Sequence, residues 1–432
     1  MVLVKRLADG FRKSEYARNI SVVLVGTVIA FGIQFLTTPF ISRLYTDQDV
    51  GLFQTFTSWY SILVIVATGR YEFAVMLPRE DDDAFNLTVL SSVLSVLFAA
   101  LCYAALGVYQ VFIGAVAQWV WYLPAAVGVL GVYYSCNYLL NRKKRYVNLS
   151  VNKMIQAVGV GGLSILFAVL FAGRFKQYGL FLAYLIAQSF VMLLLILYTV
   201  HEYRKERERV SIRFSRMKEL AKRYRHFLFF SMPSGVVNTY ANQIPVFLLG
   251  FFWDAGIVGQ YSMMMRVLAL PITLLGQSIG DVFRQRASSE YTSTGQCRDV
   301  YFKTLRSLAL IAILPFGILL LFSKPLLTWF FGSQWGMAAV FSSIMAPFFY
   351  VKLVVSPLTF MTIVAERQRF EMLWQISMLI LSAGAMYLSY LVSGNVYVVL
   401  LAFGMATTLL YGVHLRYTMR LANGGGVKGG KT

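Results

Sequence analysis

Two cations inside apolar stretches are the side chains with the clearest chemical potential in this sequence. Arg266 lies about ten residues beyond the turn at 252–256, which places it ~15 Å deep in a membrane helix. Lys352 lies near the middle of another apolar stretch, and all nineteen acidic residues fall in loops or at segment ends. A charge at this depth is costly and by default faces a protein interior or an aqueous cavity. The sequence therefore predicts a site that binds an anion.

Phosphate is the anion that best fits these two residue types. The arginine fork matches the oxygen geometry of a phosphate, while a lysine acts as a point charge. The alternatives are that Arg266 and Lys352 extend toward the membrane surface, form structural pairs or bond backbone carbonyls. A phosphate site and a structural role remain open for both residues at this point.

Uncharged polar side chains also occur inside the apolar segments, at Gln34, Asn238 and Asn242. Asn238 and Asn242 are four residues apart and so share one helix face. Such side chains could bind the hydroxyl groups of a sugar. The alternative is that they join neighbouring membrane helices by hydrogen bonds.

The elements that must position these residues are membrane helices. The chain is 58% hydrophobic and 13% charged, with a mean hydropathy of +0.64, which excludes an ordinary soluble domain. Three scattered cysteines and three histidines near segment ends predict neither a disulfide framework nor a metal site. Twelve apolar segments are long enough to cross a bilayer. They lie at about 19–40, 52–69, 84–108, 111–140, 154–172 and 179–200, twice within 227–286, and at 304–331, 337–364, 372–392 and 396–417.

The distribution of positive charge predicts the orientation of these helices. With the N-terminus in the cytoplasm, thirty-two of the 39 lysines and arginines fall in cytoplasmic segments and four fall outside. This imbalance follows the positive-inside rule and predicts that both termini are cytoplasmic. The net charge of +20 is thus an orientation signal, with some attraction to anionic lipid, and excludes a role in nucleic-acid binding.

Two six-helix halves are predicted by a basic connection midway along the chain, at 201–226. The expected parts are a bundle at 1–200, this linker, a bundle at 227–420 and a disordered tail at 421–432. A weak internal repeat agrees: the turn at 45–53 resembles the turn at 253–261, each with an Asp before Val-Gly. Seven of the ten prolines lie after residue 226, so the second half is expected to bend more.

A charged turn after the second segment predicts a cytoplasmic gate. Arg70 and Glu72 are two residues apart and would not face each other on one helix. Each is therefore expected to need a partner elsewhere, such as Asp281 or Arg284 near the matching end of segment eight. The alternative is an ordinary solvated loop.

The sequence of this turn resembles a known family. Arg70-Tyr71-Glu72-x-Ala74-x-x-Leu77-Pro78, followed by Asp83-Ala84-x-Asn86-Leu87, is similar to bacterial polysaccharide biosynthesis proteins of the O-antigen flippase type. These proteins belong to the multidrug/oligosaccharidyl-lipid/polysaccharide exporter superfamily. Further matching stretches are Ser42-Arg43-Leu44-Tyr45, Asp49-Val50-Gly51-Leu52-Phe53, Gly179-Leu180-Phe181-Leu182-Ala183-Tyr184, Pro233-Ser234 and Val258-Gly259-Gln260-Tyr261. Arg43, which lies in one of these stretches, is added to the expected gate residues.

The resemblance implies an all-α polytopic membrane protein of twelve helices, with two six-helix bundles forming a V-shaped, MATE-like transporter. It implies translocation of an undecaprenyl-pyrophosphate-linked oligosaccharide, an O-antigen or exopolysaccharide repeat unit, to the periplasmic leaflet by alternating access. The implied location is the bacterial inner membrane, beside a polysaccharide polymerase and a chain-length regulator. No cofactor is expected, although a proton or sodium gradient could drive the cycle.

Other functions predict different sequence features. A multidrug or cation exporter of the same superfamily would usually carry carboxylates inside its membrane helices, whereas this chain carries cations. A membrane-embedded glycan polymerase or acyltransferase is the alternative from another class. A polymerase would be expected to have a large outer loop, whereas the outer connections here are short. A flippase for a peptidoglycan precursor would differ mainly in the sugar it binds. The sequence therefore favours a transporter over an enzyme.

Overall fold

Helices are the regular elements of the computed structural model, which describes residues 15–171, 173–206 and 210–425. The α-helices are α1 (Glu15–Leu44), α2 (Asp47–Thr68), α3 (Tyr71–Ala74), α4 (Asp81–Phe112), α5 (Tyr122–Arg142), α6 (Tyr146–Leu170), α7 (Gly179–Lys205), α8 (Phe214–Arg223), α9 (Met232–Phe252), α10 (Ala255–Pro271), α11 (Gln277–Thr294), α12 (Arg298–Phe331), α13 (Gly336–Val355), α14 (Met361–Val364), α15 (Gln368–Ser393) and α16 (Val396–Ala422). Short 3-10 helices lie at Gln118–Trp121, Gly173–Tyr178, Ser333–Trp335 and Ser356–Phe360, and π turns lie at Phe227–Ser231 and Ile272–Gly276.

Eleven helical segments in the described residues are long and apolar enough to cross a membrane. This confirms an all-α polytopic membrane protein. The segment outside this count is α9, the seventh of the expected twelve. Its 21 residues would span a bilayer, but Asn238, Asn242 and Gln243 lower its hydropathy. The twelfth span stays a prediction.

Most helices extend beyond the apolar segments expected from the sequence. The second, for example, begins at Asp47 and the sixth ends at Lys205, because helix hydrogen bonding continues into charged residues at the membrane surface. The expected start of segment four at residue 111 is wrong. The chain up to Phe112 still belongs to α4, and the next helical turn begins at Gln118. Segment ten is likewise divided into α13, a 3-10 turn and α14.

Bends inside helices are concentrated after residue 226, as the prolines predict. The π turn Ile272–Gly276 follows Pro271 directly. Phe322 has non-helical angles inside α12, between Pro315 and Pro325. A proline removes one helical hydrogen bond and crowds the preceding turn, which explains these positions.

The two turns that suggested an internal repeat both cap helices. Thr46 and Asp49 form a capping box at the start of α2, with bonds of 3.2 and 3.0 Å. Asp254 accepts a hydrogen bond of 3.0 Å from the Ile257 N–H at the start of α10. The repeated residues thus satisfy N–H groups that the first helical turn leaves without partners.

The chain divides into two compact units, Met1–Tyr240 and Ala241–Thr432. In unit 1, α1 packs on α6, while α5 contacts α2, α4 and α7. The rings of Phe56, Phe181 and Tyr184 meet in its core, with centroids 5.2 to 6.2 Å apart. In unit 2, α13 is the central helix and packs on α10, α12 and α16.

The basic connection at 201–226 contains α8, which packs on unit 1. Its residues Leu220 and Tyr224 are buried in an apolar cluster with Tyr71 and Ala74. The Arg216 guanidinium donates to both oxygens of Asp83, at 2.7 and 3.0 Å. The connection is therefore a structural part of unit 1 in its described residues.

Candidate functional site

The relative depth of Arg266 and Lys352 follows from the packing of α10 on α13. The Gln260 side chain on α10 donates to the Gln334 carbonyl and accepts from the Ala338 N–H, both at 2.9 Å. Farther along, a Cβ added at Gly276 would lie 3.2 Å from Leu353. The Gly276–Leu353 contact aligns α10 with residues 77 positions later, so Lys352 lies level with Leu275, about nine residues or ~14 Å beyond Arg266 along the helix axes. The two cations therefore lie at different levels along the helices rather than side by side.

The side chains of Arg266 and Lys352 are both partly buried. Within the described part of unit 2, neither side chain makes an ion pair or a hydrogen bond. The Lys352 ammonium lies 5.9 and 5.5 Å from the ring centroids of Phe348 and Phe349. Aromatic faces attract a cation at this distance but do not neutralise it.

Carboxylates are missing from the stretches that hold these two cations. The sequence has no acidic residue between Asp254 and Asp281, nor between Asp299 and Glu366. The bends at Ile272–Gly276 and Ser356–Phe360 lie close to the level of Lys352, and such irregular turns often mark functional sites. α10 and α13 thus present positive charge with no acid of their own to balance it.

The polar residues predicted to bind sugar are exposed on membrane helices. Gln34 lies on α1, and Asn238 and Asn242 lie one turn apart on α9. Their role stays a prediction.

The expectation that Arg70 and Glu72 cannot face each other is wrong. α2 ends at Thr68, and both Gly69 and Arg70 adopt left-handed angles, with φ of 57° and 61°. This reversal brings the Arg70 Nη1 to 3.8 Å from the Glu72 Oε1. Residues two apart point away from each other only on one continuous helix, and α2 ends before Arg70.

The other predicted gate residues lie on α1 and α11. Asp281 and Arg284 pair with each other on α11, at 3.5 Å, and both are exposed. The Arg284 guanidinium also lies 5.7 Å from the Phe360 ring centroid. Arg43 is exposed in the last turn of α1. Each acid therefore has a partner in its own unit, and the gate role stays a prediction.

Sequence reasoning missed a polar pair inside unit 2. His414 is fully buried on α16, and its Nε2 lies 3.1 Å from the Glu371 Oε2 on α15. The Thr362 hydroxyl donates to the same oxygen at 3.2 Å. All three histidines lie near segment ends, so the sequence gave no reason to single out His414. The available signal was that α15 and α16 are consecutive antiparallel helices, which brings Glu371 near the start of α15 close to His414 near the end of α16.

Comparisons with known proteins agree with the fold and the motifs. A family model for polysaccharide biosynthesis proteins matches residues 40–340, well over half of the chain. No curated protein gives a significant match.

Solved structures of the multidrug/oligosaccharidyl-lipid/polysaccharide (MOP) exporter superfamily superpose on nearly the whole chain. An inward-facing multidrug resistance MATE family transporter gives a TM-score of 0.63 at 14% identity, covering 94% of this chain and 100% of that chain. A MATE transporter in complex with MaL6 gives 0.62 at 16%, covering 94% and 96%. A MOP superfamily transporter from Pyrococcus furiosus, described by the reverse polarity of its binding pocket, gives 0.59 at 14%, covering 94% and 96%. These likenesses establish the MATE-like fold.

Proposed function

Because the chain belongs to the family of polysaccharide biosynthesis proteins, we propose that it is a flippase for an undecaprenyl-pyrophosphate-linked oligosaccharide. It moves this lipid from the cytoplasmic to the periplasmic leaflet of the bacterial inner membrane. The observation that carries the proposal is the pair of partly buried cations on α10 and α13, which lack acidic partners in the described part of unit 2. A pyrophosphate supplies the missing negative charge.

The energy of one contact between a cation and a phosphate is large enough to affect substrate binding. Two unit charges about 4 Å apart attract by about 4 kcal/mol at an effective dielectric constant of about 20. Loss of that contact corresponds to a ~1,000-fold change in a binding constant, before desolvation of both groups is subtracted. Since Arg266 and Lys352 differ in depth by ~14 Å, the headgroup contacts them in succession as it crosses the membrane.

The polarity of the site distinguishes this proposal from export of cationic drugs. A cationic drug is attracted by carboxylates and repelled by positive charge, and the α10 and α13 stretches offer positive charge. The Pyrococcus furiosus transporter is described as having a pocket whose reversed polarity suggests a different function. By the same physical argument, a cationic site in this fold favours an anionic substrate.

The remaining residues take supporting roles in the proposal. Gln34, Asn238 and Asn242 bind sugar hydroxyls, while Arg70, Glu72, Asp281 and Arg284 control access from the cytoplasm, with Arg43 near the opposite end. Both termini are cytoplasmic, and a polysaccharide polymerase and a chain-length regulator act beside the protein. A proton or sodium gradient drives the cycle.

Translocation of a fluorescent undecaprenyl-pyrophosphate oligosaccharide in proteoliposomes tests the proposal. We expect protein-dependent movement that Arg266→Ala abolishes and Arg266→Lys restores only in part, because lysine keeps the charge but loses the fork. Arg306→Ala is the matched control, since Arg306 is an exposed arginine of the same unit. Normal movement with Arg266→Ala contradicts the site. No movement with the wild type, together with export of cationic dyes, contradicts the function.

A further inference from the structure

Glu72 is a buried carboxylate that its surroundings satisfy poorly. Glu72 is 4% exposed, and its Oε2 has no hydrogen-bond partner among the described atoms. Among the described residues its ion-pair partner is Arg70, at 3.8 Å from the other oxygen, which is long for an ion pair. An ionised carboxylate that is buried without full pairing destabilises the folded protein, and protonation would remove this cost.

The groups that face Glu72 come from three sides and include one cation. Arg70 lies on its own turn, and the phenols of Tyr134 and Tyr138 on α5 are within electrostatic range. The Thr68 hydroxyl at the end of α2 donates to the Val64 and Ile65 carbonyls of its own helix, at 3.1 and 3.4 Å, and lies near Glu72. Glu72 lies between the membrane segments α2 and α4. Burial raises its pKa above the ordinary value, and the Thr68 hydroxyl and the Arg70 charge offset only part of this effect.

Arg70 is held in an unusual way. Its backbone is left-handed, with φ of 61°, a conformation that costs a non-glycine residue free energy. Its guanidinium lies 4.7 Å from the Phe73 ring centroid. It also lies against Gly235 on α9, where an added Cβ would come within 3 Å of it, so the absence of a side chain there makes room for Arg70.

We infer that Glu72 is a proton-binding site of unit 1 and that its protonation releases Arg70. A proton from bulk water bonds to the Oε2, the carboxylate becomes a neutral carboxyl group, and the ion pair with Arg70 is lost. The Arg70 side chain is 20% exposed and that of Glu72 6%, so the proton enters along Arg70. The released guanidinium keeps its charge and becomes available to an anion.

This inference deepens the proposed function, because it names the coupling ion as a proton and places it at the predicted gate. The consequence for transport rests on the proposed function, but the protonation itself does not. It can therefore be measured without any substrate.

Infrared difference spectra of the full chain in lipid nanodiscs, titrated with pH, test the protonation. A buried carboxyl group gives a carbonyl band when protonated. We expect such a band with a midpoint above the range of exposed glutamates, absent from Glu72→Gln and retained in Glu80→Gln, whose glutamate is exposed. Identical spectra for wild type and Glu72→Gln across the titration would overturn the inference.

Gly235→Ala provides a second variant that leaves Glu72 in place. The new methyl group displaces the far end of the flexible Arg70 side chain rather than the backbone. With the positive charge moved away, the midpoint of the carbonyl band should rise, since ionised Glu72 loses its ion-pair partner. An unchanged midpoint would mean that Arg70 and Glu72 are not linked, and would also overturn the inference.

Proton-driven translocation then separates this inference from the proposed function. Wild-type transport should follow an imposed pH gradient, and Glu72→Gln should lose that dependence while still translocating substrate down its own gradient. Absence of all translocation with an intact infrared band would contradict the flippase alone. Gradient-driven transport that Glu72→Gln leaves unchanged would contradict the role of Glu72 alone.

Discussion

The two units differ in where certain cations lie and in whether these cations are paired. In unit 1, the cations Arg142, Lys143, Arg145 and Arg216 pair with carboxylates at 2.6 to 3.0 Å near the ends of membrane helices. In unit 2, Arg266 and Lys352 lie inside membrane helices without an acidic partner among the described residues. Paired charges at helix ends satisfy one another, whereas an unpaired cation within the membrane is costly and marks a candidate functional site. The difference supports the proposal that Arg266 and Lys352 serve a ligand.

Among the variants that keep Arg266, supplying this residue with a partner of its own should have the largest effect on transport. Ser262 is buried one turn before Arg266 on α10, so Ser262→Asp places a carboxylate where an i,i+4 ion pair forms. We expect substrate movement in proteoliposomes to fall about 100-fold, because the new pair competes with the phosphate. Ser262→Asn is the control of equal size without charge. Equal losses in the two variants would show that shape, not charge, had been disturbed.

Breaking a structural pair in unit 1 should instead lower stability. Asp83→Asn weakens two hydrogen bonds to Arg216 and should reduce the free energy of unfolding by about 1–3 kcal/mol. Denaturation in detergent, followed by circular dichroism, measures this change. Glu219→Gln removes the exposed partner of the same arginine and should cost less than about 0.5 kcal/mol. Similar losses for both variants would contradict a structural role for the buried pair.

Neutralising Lys352 should weaken transport less than neutralising Arg266. Lys352→Met keeps the shape among Phe348 and Phe349 but removes a point charge, and about a 10-fold loss of translocation is expected. The Lys352→Met and Arg266→Lys effects should add as free energies, because residues ~14 Å apart are independent. Arg266→Lys is used because it stays partly active, so the double variant can still be measured. Strong non-additivity would mean that both cations hold one phosphate together.

Replacing Glu72 should give the smallest effect, which is a change in how the stability of the protein depends on pH. Because the folded protein raises the pKa of Glu72 above 4.5, the folded state binds this proton more tightly than the unfolded state does. Wild-type stability should therefore fall as pH rises from about 4.5 through the raised value. Glu72→Gln lacks this contribution, so its unfolding temperature relative to wild type should increase over the same window. A difference that does not change with pH would contradict the raised pKa.

Much of the fold could be predicted because the bilayer limits the choices. A span requires about twenty apolar residues in a helix, and these runs are visible in the sequence. The helix ends were less accurate, since apolarity marks the extent of the bilayer and not where hydrogen bonding stops. The misplaced start of segment four shows this limit, as α4 continues through Phe112 before the outer turn.

The predicted gate residues Arg70 and Glu72 show why local spacing misled. Two left-handed residues, Gly69 and Arg70, reverse the chain before Glu72, and neither hydropathy nor helical spacing signals such a reversal. The same limit applies to Asp83 and Arg216, which are 133 residues apart and meet only because α8 packs on unit 1. Pairing between distant charges depends on tertiary packing.

By itself, the sequence determined that helices are long and apolar enough to cross a membrane, and that Arg266 and Lys352 lie within apolar segments. These features depend on residue type and position alone. The tertiary structure decided that the two cations differ in depth by ~14 Å and that Glu72 is buried with one unpaired oxygen. Both depend on how helices align with one another, through contacts such as that of Gln260 with Ala338, which no single segment contains.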